Sequence, residues 1–225
     1  MMATPIAQFS SLITISETPS YCQAKSGRYH LFLSCVHSVP MKRLWDISPP
    51  VSASSPVFPG DTPYRQQWKW TLSPGCPVNV SEITMSPHIG AHADAPLHYG
   101  NDAPAIGQVP LEPFLGPCRV IHALDCGPLI LPEHLEHAMD DLPPRVLVRT
   151  AQHAALDWWT DDFTAYAPHT IEWLAQRGVM LIGLDTPSID PASSKTLDSH
   201  HVILRRDIRV LETCCSMTWS PAITS

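Results

Sequence analysis

Twenty-four prolines are spread through a chain of 225 residues. Each removes a backbone donor and is poorly tolerated inside a helix or a central strand, so the fold must consist of short elements joined by turns. The stretches that escape proline carry the element signals. In PVNVSEITMS (77–86), Val78, Val80, Glu82 and Thr84 alternate with Asn79, Ser81, Ile83 and Met85, the period of two expected of a strand. CRVIHAL (118–124) and RVLVRT (145–150) read as further strands, and MKRLWDISPPVS (41–52) places a short one around Leu44 and Ile47 before its paired prolines force a turn. LPEHLEHAM (131–139) predicts a short helix with Leu131, Leu135 and Ala138 on one side. HTIEWLAQRG sets Ile171, Leu174 and Ala175 at helical spacing with Gly178 as a stop, and VMLIGLD then reads as a buried strand. No internal repeat or coiled coil is present. The mixture indicates α/β or α+β, with more sheet than helix.

With 44% hydrophobic residues the chain can bury a core, and its length suits a single domain. The net charge is −7, with lysine and arginine scattered in nothing longer than a pair, so no basic stripe offers itself to a phosphate backbone and nucleic acid is not an expected partner. No apolar run reaches the roughly 18 residues of a membrane span. The seven cysteines form no CxxC pair, which points to reduced thiols and a cytoplasmic setting. Cys76, Cys118 and Cys126 are expected as small buried hydrophobes. Residues 1–40 are rich in Ser, Thr and Pro, have no clear period, and lack the cationic start and small-residue cleavage site of a signal peptide. They read as an atypical leader, disordered or spurious, ahead of a domain that begins at Met41.

The chemistry concentrates in SPHIGAHADAPLHYG (86–100). His88, His92, Asp94 and His98 all occupy even positions, so an extended backbone would project them to one face. Gly90 and Pro96 oppose a helix, and the small residues Gly90, Ala91, Ala93 and Ala95 leave room around the cluster. Imidazole and carboxylate donors without cysteine suit Zn, Mn, Fe or Co. A second cluster lies in SSKTLDSHHVILRRDIRVLE, with His200, His201 and Glu212 as candidates and Asp198 nearby. The two clusters together can complete a two-metal site bridged by Asp94. Asp185 and Asp190 in LDTPSID either orient metal-bound histidines or cap the turn. Trp68, Trp70, Trp158 and Trp159 either line an aromatic pocket or pack.

The pattern His88-x-Gly-Ala-His92-x-Asp94-Ala-Pro-x-His98 resembles the signature of the bacterial metal-dependent kynurenine formamidases, within the larger cyclase-like hydrolase superfamily. LWDISPPV, FPGDTP (58–63), HTIEWLAQRGVMLIGLDTPSIDP and the His200–Glu212 segment extend the resemblance from Met41 to about Glu212. Position 91 is Ala, where many superfamily members carry Thr, which is compatible with the formamidase branch. The resemblance implies an α/β fold of the swivelling β/β/α type, one domain over 41–212, and a homodimer. It implies two zinc ions, Mn, Fe or Co remaining open: His88, His92 and Asp94 would hold the first, and Asp94, His200 and Glu212 the second. His98 would be the catalytic acid/base, and Phe58 would contact the substrate ring. The implied reaction is hydrolysis of N-formylkynurenine to kynurenine and formate, a step of tryptophan breakdown. A related hydrolase acting on an isatin-like molecule, or an inactive metal-binding remnant, are the alternatives. No G-x-S-x-G elbow supports a serine hydrolase.

The resemblance stops after Glu212, where TCCSMTWSPAITS shows no strand pattern. Suitable codons for this stretch, read one nucleotide earlier, spell an apolar run followed by a turn. Residues 213–225 are therefore expected to be an aberrant, frameshifted tail that replaces a final strand.

Overall fold

The computed structural model describes residues 12–15, 43–152 and 155–215. The rest of the expected leader and the tail beyond Cys215 lie outside the described residues. In chain order the strands are β1 (Leu12–Ile15), β2 (Arg43–Asp46), β3 (Arg65–Trp70), β4 (Val80–Thr84), β5 (His92–Ala93), β6 (Arg119–His122), β7 (Leu129–Ile130), β8 (Arg145–Arg149), β9 (Ala165–Tyr166), β10 (Leu181–Leu184) and β11 (Arg209–Glu212). Two α-helices, α1 (Pro168–Ala175) and α2 (Asp198–Arg206), complete the frame.

Five strands form the central sheet in the order β5-β11-β10-β8-β6. β6, β8, β10 and β11 run parallel, and β5 closes one edge antiparallel to β11. Parallel strands covered on both faces lose the in-out polarity of a half-exposed sheet, which is why RVLV and LIGL read as continuous apolar runs. Val146, Val148, Ile182, Leu184 and Val210 share one cluster with Ile171 and Leu174 of α1 and Val202 and Ile203 of α2. The alternate residues Leu147, Leu181 and Leu211 meet Ile47, Cys118 and Cys214 in a second. Gly183 lies against this second layer, and a Cβ there would come within 2.5 Å of Leu147 Cδ2.

The architecture is sheet-rich α/β, as expected. Several elements differ from their sequence reading. LPEHLEHAM forms two 3-10 turns, Pro132–His134 and Glu136–Ala138, rather than one helix, because Pro132 can begin a turn but supplies no donor. Helix α2 and strand β3 carried no recognised signal. Leu12–Ile15, within the stretch read as lacking structure, pairs antiparallel with β2. Cys118 is buried, whereas Cys76 and Cys126 are only partly so. The tail begins as part of the fold: Thr213, Cys214 and Cys215 donate their N–H groups to Thr186 O, Leu184 O and Ile47 O, and Cys214 is buried in the second cluster. No described helix is long and apolar enough to cross a membrane.

Candidate metal centre

The residues of SPHIGAHADAPLHYG do converge, but not on one extended strand. His88 sits in a turn, His92 on the two-residue strand β5, and His98 at the end of a 3-10 turn, Pro96–His98. The turn before β5 depends on Gly90, whose φ is +68° and whose added Cβ would meet Val51 Cγ2 at 2.8 Å. That left-handed conformation in so tight a space admits only glycine at low cost. Pairing of β5 with β11 sets His92 directly opposite Glu212, so the sheet register itself joins the first cluster to the second.

Asp94 lies at the centre, 2% exposed. Its Oδ1 is 3.0 Å from His88 Nδ1 and 3.3 Å from His92 Nε2, while Oδ2 is 3.4 Å from His200 Nε2. Glu212 faces both sides, with Oε2 3.5 Å from His92 Nε2 and Oε1 3.8 Å from His200 Nε2. Two candidate donor groups result: His88, His92 and Asp94, and Asp94, His200 and Glu212. His201 and Asp198 are exposed on α2 and join neither.

Despite these short separations, neither oxygen of Asp94 has a hydrogen-bond partner of acceptable geometry. A buried carboxylate left so is costly, and the donors crowd a common centre, with His88 Nδ1 3.1 Å from His92 Nε2, as the ligands of a shared cation would. The electrostatics agree. Desolvation opposes charge on His92, but Asp94 and Glu212 outweigh it and push its pKa up to about 10. Desolvation likewise opposes charge on His200, yet Asp190 and Asp94 raise it to about 9. The cluster draws in positive charge, which a divalent cation would supply. The ring nitrogens are arranged for this: His92 Nδ1 donates to Gly90 O at 2.9 Å and His200 Nδ1 to Asp190 Oδ2 at 2.6 Å, leaving each Nε2 lone pair for a metal.

The two aspartates of LDTPSID part company. Asp190 accepts from His200 Nδ1 and from the backbone N–H groups of Ser199 and His200, so it both orients a histidine and caps a helix. Asp185 accepts from Thr150 N and Oγ1 and from Ala151 N and anchors a loop. A cavity of about 1210 Å³ opens over the donors, lined among others by Phe58, His98, Trp158, Trp159 and Phe163. Trp68 and Trp70 lie elsewhere, exposed on the β3–β4 hairpin. The His98 ring is 4.2 Å from that of His88, and desolvation holds its imidazole below the ordinary range. Sequence reasoning passed over Asp61 and Ser86. The Asp61 carboxylate accepts from Ser86 Oγ, while Ser86 Oγ accepts the His88 N–H at 3.2 Å. A buried serine two residues before a candidate ligand was the available signal.

The Cyclase family model matches residues 45–191. The kynurenine formamidase of Bordetella petrii is 89% identical over 172 residues, which cover 76% of this chain and 82% of the relative. The chain belongs to the cyclase family, among the kynurenine formamidases. Among solved structures, one described as a potential metal-dependent hydrolase with cyclase activity aligns with a TM-score of 0.66 and 20% identity, covering 78% of this chain and 83% of its own. Isatin hydrolase A from Ralstonia solanacearum aligns with a TM-score of 0.64 and 19% identity, covering 80% and 82%. These two likenesses establish the fold.

Proposed function

We propose that the chain hydrolyses N-formylkynurenine to kynurenine and formate, a reaction of tryptophan breakdown, at a centre that holds two zinc ions. The substrate follows from the 89% identity with a relative named for that activity. The paired centre rests on Asp94, whose two oxygens face different donor groups. His88, His92 and Asp94 would hold one ion, and Asp94, His200 and Glu212 the other. Bound metal supplies Lewis acidity, polarising the formyl carbonyl and lowering the pKa of water to about 7.

The chain's own groups do the rest. Water adds to the formyl carbon, the C–N bond breaks, and the arylamine nitrogen must leave with a proton. His98 lines the same cavity and its depressed basicity keeps it neutral and able to accept the proton from water, then to donate it to that nitrogen. Phe58, 53% exposed at the cavity wall, has free surface for the aromatic ring. The test is N-formylkynurenine hydrolysis by zinc-loaded protein beside His98→Ala. The variant is expected to keep its metal and lose about 10²–10⁴-fold in kcat. Loss of zinc in step with activity would make His98 a ligand, and turnover of isatin in place of the formamide would move the assignment to the other hydrolase class.

The functional unit proposed is residues 41–212, assembled as a homodimer. The β3–β4 hairpin supports the second part: Trp68, Trp70, Leu72, Val78 and Val80 are all exposed on it, and an isolated two-stranded arm with apolar residues in water is marginal. Sedimentation should give twice the chain mass, and Trp70→Glu should return it to one.

A further inference from the structure

Phe58 and Trp159 come from loops far apart in sequence, yet their rings meet over the cavity at 5.3 Å between centroids and 74° between planes. Trp159 meets Phe163 in the same manner, at 6.2 Å and 81°. All three residues line the cavity that also contains His88, Asp94 and His98. Rings set edge to face make a corner and leave faces uncovered, and a flat arene placed in that corner stacks on one wall and meets the edge of the other, the two arrangements that aromatic pairs favour.

The corner is preformed. The Trp159 indole N–H donates to Asp161 Oδ1 at 2.6 Å, which fixes the ring's rotation and uses up its only polar group. The Phe58 loop is tied to the donor segment: Asp61 N donates to Phe58 O at 2.9 Å, Ser86 N to Thr62 O at 2.9 Å, and Ser86 Oγ to the Asp61 carboxylate. On the other side, Asp185 anchors Thr150 and Ala151 at the start of the loop that carries Trp159. The Phe58 wall is thus referenced to the donor segment, and the Trp159 wall is held by Asp161 and by its contact with Phe58, so shape can discriminate without rearrangement. The described cavity lining contains no lysine or arginine, so a flat ring is recognised by its faces rather than by an ion pair.

We propose that Trp159, held in orientation by Asp161, is a specificity-determining residue that with Phe58 selects N-aryl over N-alkyl amides. This rests on the formamidase reading above and names the substrate class it admits. The experiment uses full-length, zinc-loaded protein with N-formylkynurenine as substrate and two non-formyl competitors, acetanilide and N-cyclohexylacetamide, which differ in the flatness of the ring. Wild-type protein should bind acetanilide more tightly. Trp159→Ala should raise KM roughly ten-fold, the scale of one lost stacking contact, leave kcat and zinc content nearly unchanged, and abolish the preference between competitors. Trp159→Phe, which keeps a ring and guards against a folding defect in the alanine variant, should retain most of it. Asp161→Ala should weaken it in part. An unchanged KM in Trp159→Ala, or equal loss for both competitors, overturns the proposal. A wild-type protein that hydrolyses no formamide, yet still prefers acetanilide, strikes the functional reading and leaves the aromatic corner standing.

Discussion

Replacing Asp190 with alanine removes one side chain and strands three buried donors. Asp190 accepts Ser199 N and His200 N, each at 3.0 Å, and His200 Nδ1 at 2.6 Å. Ser199 and His200 are 0% and 3% exposed, so water does not readily replace the lost acceptor. Nor can the helix supply its own: Leu197 stands at the N-cap of α2 with φ 50° and offers no side-chain cap. Losing the cap on the two backbone N–H groups costs about 0.5–2 kcal/mol, and leaving the buried His200 Nδ1 unpaired about 1–3 kcal/mol, so Asp190→Ala should destabilise by about 2–5 kcal/mol. For a chain of this size that is roughly 4–20 °C in Tm. Asp190→Asn keeps the shape and one carbonyl acceptor but turns an amide N–H₂ toward His200, so it should lose less stability while still freeing the imidazole to choose the wrong tautomer. Both variants should lose zinc affinity by about 10–100-fold, the usual effect of removing a group that orients a ligand. Competitive chelator titration beside thermal melts separates the two quantities. Wild-type zinc affinity in Asp190→Asn would refute the orienting role, and an unchanged melt in Asp190→Ala would refute the cap.

Gly183→Ala places a Cβ 2.5 Å from Leu147 Cδ2 and 3.0 Å from Leu211 O; the backbone oxygen cannot yield easily, and a loss of about 1–3 kcal/mol in urea unfolding is expected. Removing metal with a chelator should lower Tm and re-addition should restore it, with about 4 kcal/mol of stabilisation at a free metal concentration a thousand times Kd. Glu172, joined to Arg206 at 2.6 Å and to Arg205 at 3.3 Å, has its pKa lowered chiefly by the Arg206 hydrogen bond. Its folded value is therefore depressed, so the stability this α1–α2 link contributes is present above the ordinary value of 4.5 and is lost as pH falls through the folded one. The arginines are exposed and the effect should stay below about 1 kcal/mol; a Tm profile for Glu172→Gln that falls as steeply below pH 5 as the wild type would show that the link contributes nothing.

The candidate site residues of this stretch were legible because their chemistry is written in residue type: three histidines and an aspartate among glycines and alanines leave few other uses. Their geometry was less so. Even spacing suggested one extended face, yet His88, His92 and His98 converge through a turn, a two-residue strand and a 3-10 turn, since Gly90 and Pro96 impose backbone angles that periodicity does not encode. The strands β6, β8 and β10 could be read because burial on both faces makes their central residues apolar without alternation. Helix α2 could not, because DSHHVILRR begins with four polar residues and is capped from outside by Asp190, so the local start signal is missing. The partnership of Asp190 with His200, and of Asp61 with Ser86, depends on contacts that only the folded chain makes.

The pairing of β5 with β11 consists of two register partners, Ala93 with Leu211 and Glu212 with His92, whereas β8 is held by β6 and β10 on either side. So short an edge opens at a lower free energy than the sheet interior. When it opens, His92 and Glu212 separate while the apolar layers remain packed. In chelator-treated protein, amide exchange at His92 and Ala93 should therefore run well ahead of exchange in β8, and catalytic competence should disappear in denaturant before the global transition begins.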